Sequence, residues 1–161
     1  MCCDYIVDDV VVFYDDKDKG CLLDRAIIDE GIRELVDAIN ECEYLVTMNS
    51  CQGFLVESKK TEHCPRAYVD FFVLEHRYIL ADTLLLLLVE EFGSRIICKL
   101  EYQADFDIID DPLGETAIDN GLVILRYRIE LAELRQDLQL STYKEIVDYI
   151  IDYAYDTKEI V

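Results

Sequence analysis

From Leu122 to Leu131 the chain reads LVILRYRIEL, and its alternation leaves little freedom. Successive side chains of an extended strand point to opposite faces. Val123, Leu125, Tyr127 and Ile129 therefore share one face, and Arg126 and Arg128 share the other. A fold that accepts this strand must offer a core to one face of a sheet. It must also hold two guanidinium groups side by side on the reverse.

The rest of the chain supplies the apolar layer. Ile28, Ile32, Leu35, Val36 and Ile39 recur at helical spacing, with Asp29 at the cap, Asp29 and Glu30 at the positive end of the dipole, and Asn40 near the close. A second helix is predicted over Tyr78–Phe92, stopped by Gly93, with its run LLLLLV (Leu84 to Val89) buried on most sides. In the last helix Thr142 and Glu145 have the spacing of a capping box, and Tyr143, Ile146, Val147, Ile150 and Ala154 form a core stripe.

Strands are predicted in DYIVDDVVVFYDD, which ends at the turn DDKDKG, and in YLVTM, FLV, AYVDFFVL and SRIICKLEY. AYVDFFVL is apolar at nearly every position, as a strand covered on both faces would be. The order β-α-β-β-β-α-β-β-α predicts an α+β fold: one layered domain over residues 1–161, with a mixed or antiparallel sheet of about five or six strands and three main helices. With only 6 Gly, 2 Pro and no low-complexity linker, no domain boundary is expected.

Charge narrows the partners. Against 35 Asp and Glu stand 15 Lys and Arg, a net charge of −20, which repels phosphate backbones and anionic membrane surfaces. A pocket for a small anion, or a surface that mimics nucleic acid, is compatible with it. The 7 cysteines are odd in number and lack paired spacing, and MCCDYIVDDVVVFY has acids where a secretory leader needs lysines. These features predict reduced thiols and a cytoplasmic location. LLLLLV is too short to span a bilayer.

One stretch departs from this pattern. In VTMNSCQGF an apolar run enters Asn49, Ser50, Cys51, Gln52 and Gly53 before apolar residues resume. Gly53 permits positive φ or a close backbone approach, and successive N–H groups in such a turn can form a nest for an anion. Asn49 and Gln52 add amide donors and acceptors suited to the edge of a base, and Ser50 adds a hydroxyl. These five residues are the predicted ligand-binding loop.

The segment IDEGIRELVDAINECEYLVTMNSCQGF resembles a stretch of wyosine-type tRNA methyltransferases, in which a helix ending in Ile-Asn and a threonine-bearing strand lead into a Ser-Ser-Cys-Ser-Gly-Arg loop. It is also similar to a set of mostly uncharacterised phage proteins with a Ser-Cys-x-Gly-His loop. The matching positions are Asp29, Ile32, Ile39, Asn40, Thr47, Ser50, Cys51 and Gly53. The resemblance implies an α+β fold with a ligand site at the loop. Asn49 and Gln52 replace serines of the methyltransferase loop, and Phe54 stands where the relatives carry Arg or His. The lost cation and the charge of −20 argue against a tRNA-modifying enzyme and for a binding protein.

Other chemistries are weaker. Cys51 reads as a small apolar side chain at a strand end rather than as a nucleophile. Cys51, His63, Cys64 and His76 include zinc-ligand types without zinc spacing, and DFDIID lacks the pattern of an EF-hand. No catalytic residue, metal or cofactor is therefore assigned. Arg126 and Arg128 have two readings of equal standing: they neutralise a bound anion, or they pair with Asp70 and Glu101 on neighbouring strands. Arg66 is a further cation candidate. The 11 tyrosines and the LLLLLV helix suggest a homo-oligomer.

The leading expectation is a protein that binds a small anionic nucleotide-like molecule through Asn49 to Gly53, Arg66, Arg126 and Arg128. The resemblance implies a phage origin alone; sequestration of a host nucleotide immune signal is one role for such a protein, a hypothesis laid over that resemblance. An S-adenosylmethionine-dependent methyltransferase and an acidic nucleic-acid mimic are the alternatives. The acidic segment Asp105 to Asp119 is read as an ordered loop or a lid.

Overall fold

A computed structural model describes residues 3–4, 28–53, 55, 65–74, 77–104 and 123–158. Expectations that fall on the first predicted strand, on the loop holding His63 and Cys64, on His76 and on the acidic segment lie outside the described residues.

The fold is α+β. Its helices are α1 (Arg33–Glu41, preceded by a 3-10 turn at Glu30–Ile32), α2 (Tyr78–Phe92) and α3 (Gln136–Lys158). The strands are β1 (Cys3–Asp4), β2 (Leu45–Cys51), β3 (Tyr68–Val73), β4 (Ile96–Ala104) and β5 (Val123–Leu131). They lie in the order β1-β2-β3-β5-β4, and every neighbouring pair is antiparallel. Among the described residues the sheet holds four full strands, with the two residues of β1 paired along one edge. Of the expected five or six strands, the described residues thus show four full strands and a two-residue fifth, and the rest of the first predicted strand lies outside them. β3 and β4 run parallel on either side of β5 and are joined through α2, a split β-α-β arrangement.

The helices cover one face. Ile32, Leu35, Val36 and Ile39 of the first helical segment, Leu84 and Leu88 of α2, and Tyr143, Ile146, Val147 and Ile150 of α3 pack into one core with Val69, Phe71, Tyr127 and Ile129 of the sheet. The two predicted apolar stripes and the apolar phase of β5 appear here as burial. Phe71 and Tyr127 stack with ring centroids 5.5 Å apart. On the other face Val46 and Leu74 form a small apolar cluster with Tyr44 and Phe72.

Three local expectations are corrected. α3 begins at Gln136, so Thr142 and Glu145 lie inside the helix and form no capping box: Thr142 is buried, and Glu145 pairs with Arg95. The LLLLLV run is not buried on most sides, because α2 lies on the sheet by one face only: Leu84 and Leu88 are enclosed while Leu86 is 71% exposed and Val89 48%. Asp29 occupies the cap position of the 3-10 turn, but its side chain makes no capping hydrogen bond. Gly93 does end α2, with φ of 55°.

Candidate functional site

The predicted loop is mostly strand. β2 continues through Asn49, Ser50 and Cys51, which pair with Asp70, Val69 and Tyr68 of β3. A register shift between Thr47 and Asn49 inserts Met48 as a bulge, so Thr47 and Ser50 both face the helices while Asn49 and Cys51 face away. The ladder satisfies these backbone groups, and only Gln52 and Gly53 turn.

Both turn residues have structural partners. Gln52 accepts a hydrogen bond at Oε1 from the Gly31 N–H (3.1 Å), satisfying a donor at the start of the helical segment. Its carbonyl accepts from the Leu55 N–H at 3.1 Å. Gly53 has φ of 53°, and a β-carbon there would lie 2.4 Å from the Ala67 nitrogen. Its absent side chain is required by the close approach of two backbone segments. Ser50 is fully enclosed on the helix side, and its Oγ has no hydrogen-bond partner among the described residues. Cys51 is enclosed too, in agreement with its reading as a small apolar side chain.

The polar chemistry collects on the face opposite the described helices instead. Asn49, Asp70, Arg128 and Lys99 stand in one transverse row across β2, β3, β5 and β4. Asp70 has no solvent exposure, and both its oxygens accept from Arg128, from Nε at 2.6 Å and Nη2 at 2.9 Å. This hydrogen bond is the main cause that raises the Arg128 pKa above the usual guanidinium value. The guanidinium also lies 4.0 Å from the centre of the Tyr68 ring. Arg126 pairs with Glu101, and this hydrogen bond, followed by the charge of the same guanidinium, holds the Glu101 carboxyl below its ordinary range. Glu130 is met by Lys99 at 3.5 Å and by Arg66 and Arg128 at 3.9 Å. Arg66 also donates from Nε to the Ala132 carbonyl at 3.1 Å.

Of the eight residues predicted from sequence, Asn49, Cys51, Arg126 and Arg128 share this face, and Arg66 joins it through Glu130. Ser50 faces the opposite way, and Gln52 and Gly53 brace the turn. Arg126 and Arg128 have exactly the acidic partners named in the second of their two readings. β5 is separated from β2 by β3, so it does not adjoin the turn directly. Sequence reasoning missed Lys99, Tyr68 and Glu130. The alternation Lys99-x-Glu101 and Arg126-x-Arg128-x-Glu130 places Lys99 and Glu130 there, and Tyr68-x-Asp70 places Tyr68, but only the strand order shows that these runs lie side by side.

A crevice at the opposite end of β2, lined by Cys42, Tyr44, Leu45, Leu80, Tyr153 and Thr157, has room for about one water-sized sphere. No group of three or more potential metal-binding side chains occurs among the described residues. No described helix is long and apolar enough to cross a membrane. No protein-family model, curated protein or solved structure matches the chain.

Proposed function

We propose that the protein binds a small nucleotide-derived anion on the face of its sheet opposite the described helices and does not chemically alter it. The observation that carries this reading is a local gathering of cations. A chain with 35 acids and 15 bases sets four cations, Arg66, Lys99, Arg126 and Arg128, on one face, against Asp70, Glu101 and Glu130 among the residues whose side chains are described, with Asp4 of β1 at the end of the same row. Arg128 is committed to buried Asp70. Lys99 and Arg66 have side chains 43% and 39% exposed, and Glu101, at 49%, can yield Arg126 to a phosphate oxygen. The half-buried Asn49 amide, in the same row, makes no side-chain hydrogen bond to another described residue and suits a base edge.

The resemblance to phage proteins extends this to sequestration of a host nucleotide signal. Mass spectrometry of molecules released from natively purified, then denatured, protein tests the reading, together with calorimetry against a nucleotide panel. A nucleotide returned intact, with affinity falling about 10-fold or more in Lys99→Ala and Asn49→Ala, is the expected result. Recovery of S-adenosylmethionine or its demethylated product would transfer the site to the methyltransferase reading. No nucleotide bound at all would end both.

A second reading rests on the helix layer. Glu30, Glu34, Asp37 and Glu41 form one exposed acidic ridge, and Glu145, Asp148, Asp152 and Asp156 form another on α3. Ridges of this kind suit a basic protein partner that ordinarily grips nucleic acid. Salt-sensitive binding to such a partner, unaffected by Lys99→Ala, distinguishes it from small-ligand binding.

A further inference from the structure

We infer that two copies of the chain join edge to edge through β4, extending the sheet across a two-fold axis at Leu100. This inference does not rest on the ligand reading, although Lys99 and Glu101 serve in both. Among the described residues β4 ends the strand order and pairs with β5 alone, over nine residues without a register shift. The Ala132 N–H donates to the Arg95 carbonyl at 2.9 Å, which sets the phase of that ladder. Alternate residues of an antiparallel strand turn both backbone groups to the same neighbour. Ile97, Lys99 and Glu101 thus serve β5, while Ile96, Cys98, Leu100, Tyr102 and Ala104 present theirs to the outer side. A long edge of this kind is a template for another strand.

The occupant is specified by charge. When β4 is laid antiparallel to its own copy about Leu100, Leu100 meets Leu100, and Lys99 meets Glu101 of the second copy at two symmetric places. Both charge pairs fall on the polar face, and opposite charges directly across a ladder are favourable. A register displaced by one pair of residues sets Lys99 opposite Ile97 and Glu101 opposite Arg95 on one side, or Glu101 opposite Gln103 on the other, and loses the Lys99–Glu101 pairs.

The helix side is complementary as well. Leu100 is 48% exposed, although its side chain points to the apolar face. Its cross-strand partner Tyr127 donates from its hydroxyl to Asp82 of α2 at 2.9 Å, so α2 lies over β5, next to this edge. Leu86 and Val89 follow Asp82 by one and two turns and are 71% and 48% exposed. Edge pairing brings the two α2 helices side by side and covers these residues, in an isologous contact where each copy uses the same surface. It also places Glu101 of the second copy beside Lys99, which makes the polar faces of the two sheets continuous.

Sedimentation of the full chain at roughly ten micromolar tests the inference. Twice the 18.7 kDa chain mass is expected. Leu86→Glu, an exposed position whose substitution leaves the core untouched, should yield a folded monomer by circular dichroism. Lys99→Glu and Glu101→Lys should each be monomeric, because each sets like charges across the axis. Their equimolar mixture should regain the doubled mass, since both contacts are then between opposite charges. A monomeric parent chain overturns the inference. Variants that keep the doubled mass, or a mixture that stays monomeric, overturn it equally.

Discussion

Arg128 grips Asp70 through two hydrogen bonds, at 2.6 and 2.9 Å, and the carboxylate so held has no contact with solvent. Desolvating that carboxylate is costly, and the guanidinium offsets the cost only while both groups are present. Replacing Arg128 by Ala strands a buried charge and should destabilise the fold by about 3–5 kcal/mol in denaturant unfolding. Replacing both Asp70 and Arg128 with apolar residues of similar volume should recover most of that loss. A double variant no more stable than Arg128→Ala would contradict the account.

Gly53 packs its α-carbon against the Ala67 backbone beside the candidate site. Gly53→Ala combines a positive φ with a β-carbon 2.4 Å from a backbone nitrogen, which no side-chain adjustment relieves. A loss of at least about 2 kcal/mol is expected, whether or not a ligand is present. A thermal melt without ligand checks this, and unchanged stability would show that the two segments separate easily.

Asn40 closes on Thr47 with a pair of bonds. Its Nδ2 donates to Thr47 Oγ1 at 2.9 Å, and its Oδ1 accepts from the Thr47 N–H at 3.0 Å. These lock the end of α1 to the start of β2 just before the bulge. Asn40→Ala leaves the buried Thr47 short of partners and should cost about 1–3 kcal/mol by chemical denaturation. Asn40→Asp should keep the acceptor bond and lose less.

Alkaline pH should weaken the protein. Burial pushes the Cys98 thiol from 9.0 up to about 11. Burial is also the leading cause that lifts the hydroxyls of Tyr143 and Tyr153 from 10.0 to about 12. The folded state therefore keeps protons that the unfolded chain has already released. This contribution is complete below pH 9 and is lost as pH rises through 11 to 12. Melting temperature should fall across that window, and Cys98→Ala should move the onset of the fall upward. A melting temperature flat from pH 8 to 11 would refute the prediction.

The helical stripes were legible because burial follows spacing: Ile32, Leu35, Val36 and Ile39, and Tyr143 to Ala154, face the core as their period requires. The phase of β5 was legible for the same reason, with Arg126 and Arg128 opposite Tyr127 and Ile129. The start of α3 was not, because Thr142 and Glu145 match a cap locally while the tertiary environment buries the threonine inside a longer helix. The exposed Leu86 was equally hidden, since a uniformly apolar run does not say which side meets the sheet.

The stretch from Asn49 to Gly53 marks the division most clearly. By itself the sequence determined a polar interruption with a glycine that needs unusual backbone freedom, and it named both the two arginines and the acids that pair with them. Only the tertiary structure decided that a bulge at Met48 sends Ser50 to one face and Asn49 to the other, that Gln52 caps a helical turn, and that β3 stands between the turn and β5. The physical reason is range. Periodicity and turn chemistry act over a few neighbours, whereas strand order and register depend on hydrogen bonds and packing between residues up to about 80 positions apart, such as Asn49, Asp70 and Arg128 in their shared row.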